Sequence, residues 1–314
     1  MRRTALLASV LAIGVIPRCA QAQAAYEIEV YGAEMAVPGS LLLELHSNYT
    51  ITGSQGAAGG RPGAIDDDDW QRPAHAADPA CTSGGFPLFS RVPATNASFH
   101  LTPGDAISAA ATPCNAATTN THAIHETLEA STGLTSWAEL GAYVFASKMP
   151  DGGLQVVGGS ARLRVRAPLE WKLPVDAGLS VEVEHEGASY SPNTLTLEIR
   201  PIFDRSAGRW YVSLNPTIER TLRGAGVTAG LGFSPSGKLS CDLNRVVSAG
   251  VEYYGAFGQL GSFAPPLERL QQFFGVVDLH TGAAWEINGG LGVGTTPASS
   301  HLVAKVILGR RLTF

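Results

Sequence analysis

The chain has 314 residues, with 22 Lys and Arg against 27 Asp and Glu, a net charge of -5 that leaves no basic footprint for nucleic acid. Charged residues make up 16%, against roughly 25% in soluble proteins, and glycine is abundant at 36 residues. No stretch after the N-terminus has the ~18 consecutive apolar residues of a spanning helix, so a membrane role has to use strands.

Arg2 and Arg3 make a basic start, and Ala5 to Ile16 is an apolar run too short to span a bilayer. Ala20-Gln21-Ala22 and Ala22-Gln23-Ala24 follow as cleavage patterns, so residues 1–24 are expected to be a secretory signal peptide. A lipoprotein reading would use Cys19, and Arg18 before it fits poorly. Residues 25–39 are expected to form an N-terminal periplasmic segment outside the barrel. Its stretch Tyr26-Glu27-Ile28-Glu29-Val30-Tyr31 alternates, which leaves an extra strand or part of a plug open as well.

From residue 40 onward, strand-like stretches of about ten residues recur. They cover 41–51, 122–131, 137–147, 156–167, 178–186, 193–203, 209–220, 226–240, 245–256, 271–280, 283–295 and 301–314. The pattern predicts an all-β fold, an antiparallel up-and-down transmembrane barrel of about twelve strands over residues 40–314, with both ends on the periplasmic side. Connections alternate in length: Thr132–Ser136, Leu173–Asp176, Asp204–Gly208, Cys241–Asn244 and Thr281-Gly282 are short, whereas 261–269 and 52–121 are long. Short inner turns and longer outer loops are the asymmetry of outer-membrane barrels.

The 52–121 segment is rich in Ala, Gly, Pro and Thr, carries Asp66-Asp67-Asp68-Asp69, and is expected to be a long extracellular loop. Its aspartates lack the ligand spacing of a calcium loop, which favours a solvated acidic stretch. Cys81 and Cys114 can pair in an oxidising compartment, leaving Cys241 alone. Asn48-Tyr49-Thr50 and Asn96-Ala97-Ser98 match the glycosylation sequon, which says little on a bacterial secretion route.

Within the strands, apolar and polar side chains alternate. Leu179, Val181 and Val183 oppose Ser180, Glu182 and Glu184; Ala161, Leu163 and Val165 oppose Arg162, Arg164 and Arg166. A soluble sandwich alternates in the same way, so the barrel rests on the signal peptide, the terminal Phe314, the loop asymmetry and the placement of aromatics. Trp210, Trp285 and Phe314 fall at one height of the apolar face and Tyr49, Tyr253 and Phe273 at another, as two girdles. The polar face supplies the candidate pore-lining set: Arg162, Arg164, Arg166, Arg200, Lys238, Glu139, Glu182, Glu184, Glu198 and Glu252. These charges either zip the inside wall across strands or select solutes by charge, and both roles are compatible.

No nucleophile elbow, P-loop or dinucleotide fingerprint is present. His46, His125 and His280 are inward candidates without a motif, and no catalytic residue, cofactor or metal is expected. His122 and His125 are three apart on a strand and point to opposite faces, which argues against a shared ion. Glu126 falls on the lipid face, either at the interface or beside a bulge. The last strand alternates Leu302, Ala304, Val306 and Leu308 outward against Lys305 and Gly309, then ends in Leu312 and Phe314. This terminus resembles the assembly signal of outer-membrane barrels, with Phe314 and Leu312 as its carriers; Arg310 on the apolar face is out of pattern.

The stretches Leu41–Thr50, His122–Phe145 and Trp285–Leu312 resemble a family of outer-membrane β-barrels, the putative transport proteins named for the phenol-degradation meta pathway and their uncharacterised relatives. The resemblance implies a transport-type barrel, some of whose members are presumed to pass small or hydrophobic molecules, and it carries over no catalytic residues. The 52–121 insertion departs from the family pattern and bears on whether the channel is open. The sequence therefore points to a non-enzymatic passive channel for a small solute in the bacterial outer membrane, with membrane lipid and the barrel assembly machinery as partners. A non-conducting barrel displaying 52–121 and a membrane-embedded hydrolase are the rivals.

Overall fold

The computed structural model describes residues 26–54, 120–148, 152–282 and 284–314. The expected signal peptide, the aspartate run, Cys81, Cys114, Asn96 and nearly all of the expected 52–121 loop lie outside these residues.

Twelve long antiparallel strands form the wall. They are β1 (Ser40–Thr52), β2 (Ile124–Thr135), β3 (Ala138–Lys148), β4 (Gln155–Arg166), β5 (Asp176–Glu186), β6 (Leu195–Ala207), β7 (Trp210–Arg223), β8 (Gly232–Asp242), β9 (Val247–Ala256), β12 (Leu270–Leu279), β13 (Trp285–Gly294) and β14 (Leu302–Thr313). Two short strands, β10 (Gly258–Gln259) and β11 (Ser262–Phe263), form a small hairpin on the rim that begins at β8. Each wall strand pairs with its neighbours in sequence, β9 pairs with β12, and β1 pairs with β14. The twelve-strand wall is thereby closed and keeps no free edge, which satisfies the backbone inside a bilayer. All twelve expected strands are present; the largest difference is at β8, where 225–228 forms a 3-10 turn before the strand begins at Gly232. Both chain ends of the wall lie at one rim, the turn rim, where Phe314 N–H meets the Gly39 carbonyl.

The wall is inside out relative to a soluble protein. Every wall strand turns at least one large apolar side chain outward into exposure, among them Leu45, Leu128, Leu163, Leu214, Val251 and Leu291. Exposed apolar surface that continues around a whole barrel marks a lipid face. Trp137, Trp171, Trp210 and Trp285 all lie at the turn rim, exposed, and Tyr253 and Phe273 meet near the other rim at 5.0 Å between ring centroids. Arg310, out of pattern in the sequence, lies over the Trp285 ring at 4.5 Å, where a cation at the rim is stabilised by the ring face. Glu126 also faces outward, without a bulge in the β1–β2 register, and accepts a 2.5 Å hydrogen bond from Ser47 directly across from it.

The N-terminal segment departs from expectation. Residues 26–38 do not lie outside the barrel: they cross its lumen and reach the turn rim before entering β1. Tyr26, Ile28, Val30, Tyr31, Ala33, Met35 and Ala36 are buried, and each of the three apolar clusters of the interior contains residues of this segment. Of the alternatives that the alternation left open, this is the plug-like one, with its two faces serving opposite walls. Near the turn rim the segment runs so close to β2 that a side chain at Gly133 would collide with the Ala36 carbonyl and with Pro38 N at 2.8 Å.

Candidate functional site

The site is the lumen itself, built from inward side chains of the wall and the two faces of residues 26–38. Ile28 and Val30 pack on Tyr254, Phe274, Val276 and Val303 of β9, β12 and β14. Glu27 and Tyr31 turn the other way, to the arginine wall. Tyr26 stacks on Phe145 at 5.3 Å and meets His125 edge-on at 5.1 Å.

Backbone groups of the segment, which make no sheet ladder, are bound by wall side chains. Tyr31 N–H donates to Asn215 Oδ1 (2.7 Å), and its carbonyl accepts from Ser213 (2.6 Å) and Asn215 (3.0 Å). Ala33 N–H donates to Asp204 (2.9 Å) and Ala36 N–H to Glu139 (2.6 Å). Thr127 and Asn48 donate to the Tyr26 carbonyl (2.8 and 3.2 Å), and Lys305 donates to that of Ile28 (2.9 Å). A buried backbone group without such partners would cost about 1–3 kcal/mol, so these contacts fix the path of the segment.

Two charge clusters flank it. In the first, Arg162 bonds Glu129 (2.6 Å) and Glu139 (2.9 Å), and Arg164 bonds Glu139 (2.9 Å). Arg200 pairs with Glu198 at 2.8 Å, and Glu27 lies 4.0 Å from Arg162 and 3.8 Å from Arg200. The Tyr31 ring is the centre: the guanidiniums of Arg200, Arg162 and Arg164 lie 4.5, 4.8 and 5.4 Å from its centroid. Burial pushes the Glu27 carboxyl well above its usual range, as do Glu182 and Glu129, against Arg200 and Arg162. In the second cluster, Lys305 bonds Glu252 (2.5 Å), and Lys238 bridges Glu252 (3.3 Å) to Asp278 (2.8 Å).

All ten expected pore-lining residues face inward, as their strand parity requires. Glu139, Arg162, Arg164, Glu182, Arg200 and Glu252 are buried; Arg166, Glu184, Glu198 and Lys238 are half-buried. The arginine row does meet glutamates, chiefly of β2 and β3. Arg162 stands directly across from Glu182 of β5 as well. Sequence reasoning missed Glu27, Tyr31 and Glu129. Glu129 has inward parity on β2, and two acidic residues within the apolar alternation of 26–31 beside an arginine-rich wall were the available signal.

No oriented catalytic group is assembled among the described residues. His122 turns to Tyr49 (2.7 Å) while His125 is buried by Ser147, so the two do not converge. Ser248 bonds both Asp242 (2.7 Å) and His280 (2.8 Å), but the carboxylate contacts the serine, leaving the imidazole without the orienting acid of a triad. Cys241 is a free thiol at the turn rim beside Arg209 (3.0 Å).

No family model matches the chain, and no curated protein matches it. Solved structures similar to it include a KdgM porin (11% identity, 61% of this chain and 92% of that one, TM-score 0.41). A bacterial polysaccharide outer membrane secretin (9%, 88% and 99%, TM-score 0.39) and LpxR from Salmonella typhimurium (10%, 86% and 99%, TM-score 0.34) are similar too.

Proposed function

We propose that the chain is an outer-membrane channel for small solutes, closed at rest by its own residues 26–38. The observation that carries this reading is the mismatch between wall and filling. Every wall strand contributes polar side chains to the lumen, yet what crosses that lumen is one extended segment, joined to β1 at one end and otherwise held by hydrogen bonds such as those of Asn215 and Lys305. A polar interior inside an apolar exterior is what a water-filled passage through lipid requires. The turn rim is then periplasmic, the 52–121 loop extracellular, and Phe314 with Leu312 the terminal recognition element for assembly. Small solute and lipid are the ligands, no catalytic step is assigned, and the sequence resemblance of Leu41–Thr50, His122–Phe145 and Trp285–Leu312 to the phenol meta-pathway barrels is in keeping with the same reading. With the segment displaced, Arg162, Arg164, Arg166 and Arg200 against Glu139, Glu182, Glu184, Glu198, Glu252 and Lys238 would line the path and set its charge preference.

The filled lumen also suits a non-conducting barrel that displays the 52–121 loop. Single-channel recording of the refolded protein separates the two. The channel reading expects silence or brief openings in the unaltered protein and steady conductance once Glu27→Ala and Tyr31→Ala loosen the segment. Silence in both would reject it in favour of the non-conducting barrel.

A further inference from the structure

Four buried polar atoms lie together between the segment and the wall, and none has a hydrogen-bond partner: Glu29 Oε2, Glu129 Oε2 and both ring nitrogens of His46, one facing each carboxylate. Nδ1 of His46 lies 4.0 Å from Glu29 Oε2 and Nε2 lies 3.6 Å from Glu129 Oε2, beyond hydrogen-bond reach. A doubly protonated imidazole would need both carboxylates closer by several tenths of an ångström to satisfy its two donors. The ligand atoms of the three residues lie within 4.8 Å of one another, a span that a shared ion closes with small side-chain movements.

The surroundings are those of a metal ligand set. His46 is fully buried and Glu129 is 1% exposed, whereas Glu29 is 26% exposed and leaves an entry path from lumen water. The other oxygen of Glu129 is engaged by Arg162 and Ser131, which aims Oε2 at His46. Glu44, inward on β1 and directly across from Glu129, places a further carboxyl beside it.

We propose that Glu29, His46 and Glu129 bind a divalent transition-metal cation of the Zn2+ type. One imidazole nitrogen and two carboxylate oxygens supply the protein ligands, with water completing the shell. Imidazole in the set selects against Mg2+ and Ca2+, which take oxygen ligands. Two ligands belong to β1 and β2 and the third to the N-terminal segment, so the ion latches the segment to the wall.

The test uses the full mature chain, refolded in detergent and stripped with a chelator. Co2+ titration followed by visible absorption, and Zn2+ titration by calorimetry, should each show one ion per chain. Glu29→Gln and His46→Gln should each weaken binding by at least the 10–100-fold typical of outer-shell changes. Absence of binding, or binding unchanged in both variants, overturns the site. Glu29 lies off the wall, so Glu29→Gln decides the matter if His46→Gln fails to fold. The latch has its own readout: a cysteine placed at Ala33, which is 1% exposed, should react with a thiol reagent faster after chelation than with Zn2+ present. Equal rates overturn the latch. Neither readout uses conductance, so the channel reading can fail while this one stands.

Discussion

Lys305 donates to the Ile28 carbonyl at 2.9 Å and to Glu252 at 2.5 Å, so one buried ammonium on the last strand ties the N-terminal segment to the wall. The same lysine lies 5.6 Å from the Tyr254 ring and 5.7 Å from the Phe274 ring, beneath the apolar side of the segment. Lys305→Met removes the donor and the charge together. It leaves the Ile28 carbonyl unpaired and reduces the cations at Glu252 to Lys238. Breaking a buried pair from one side costs about 3–5 kcal/mol. The expected outcome is a lower unfolding temperature in detergent together with a greater open probability in bilayers. Lower stability without any opening would mean that Lys305 serves the wall alone.

Tyr31→Ala tests the other side of the segment. Three guanidiniums face one ring, and such contacts are worth from about 0.5–1 kcal/mol when exposed to about 2 kcal/mol where water is excluded. Every wall residue is kept, and the arginines retain their glutamates. Conductance should therefore rise while the barrel keeps its heat resistance on gels. Arg162→Met should instead weaken the barrel itself, because Glu129 and Glu139 on β2 and β3 both lose a partner.

The wall was legible because a closed barrel repeats one rule, apolar outward and polar inward, on every strand. The faces of β4, β5 and β13 follow directly from residues such as Leu163, Val183 and Leu291. The β8 boundary slipped because Gly226 to Gly232 keeps an apolar, glycine-rich texture across a 3-10 turn. Residues 26–38 were not legible in position. Alternation shows that a segment is extended, and it does not say whether one face or both will be covered. Placing it in the lumen needs the pairing of Glu27 and Tyr31 with arginines on β4 and β6, contacts more than a hundred residues away in sequence. Glu129 with Arg162 fails for the same reason: parity puts both inward, but they sit on strands two apart.

Glu27 makes docking pH-dependent. Its carboxyl is pushed well above the usual carboxylate range when the segment is docked, chiefly by burial. A carboxyl exposed by undocking returns to the ordinary value near 4.3. Docking therefore takes up a proton across the interval between the two. The docked state is favoured on the acid side and loses that advantage as pH rises through the raised value. Open probability should climb with pH over that interval, and Glu27→Gln, neutral at every pH, should flatten the dependence. An unaltered pH profile in Glu27→Gln would assign the effect to another group.

The recognition role proposed for Phe314 can be tested apart from stability. The ring is 91% exposed, and the residue is held by a single backbone contact of 3.3 Å to Gly39. Deleting it removes little that the folded barrel uses, so refolding yield and unfolding temperature in detergent should stay within about 0.5 kcal/mol of the unaltered protein, the usual range for surface changes. Assembly into membranes of living cells should nevertheless fall sharply, since an exposed terminal aromatic on an amphipathic strand is available to be read by other proteins. The deciding comparison is heat-modifiable barrel recovered from cells against barrel refolded from pure protein. A parallel loss in both would make Phe314 a packing residue; a loss confined to cells makes it an address.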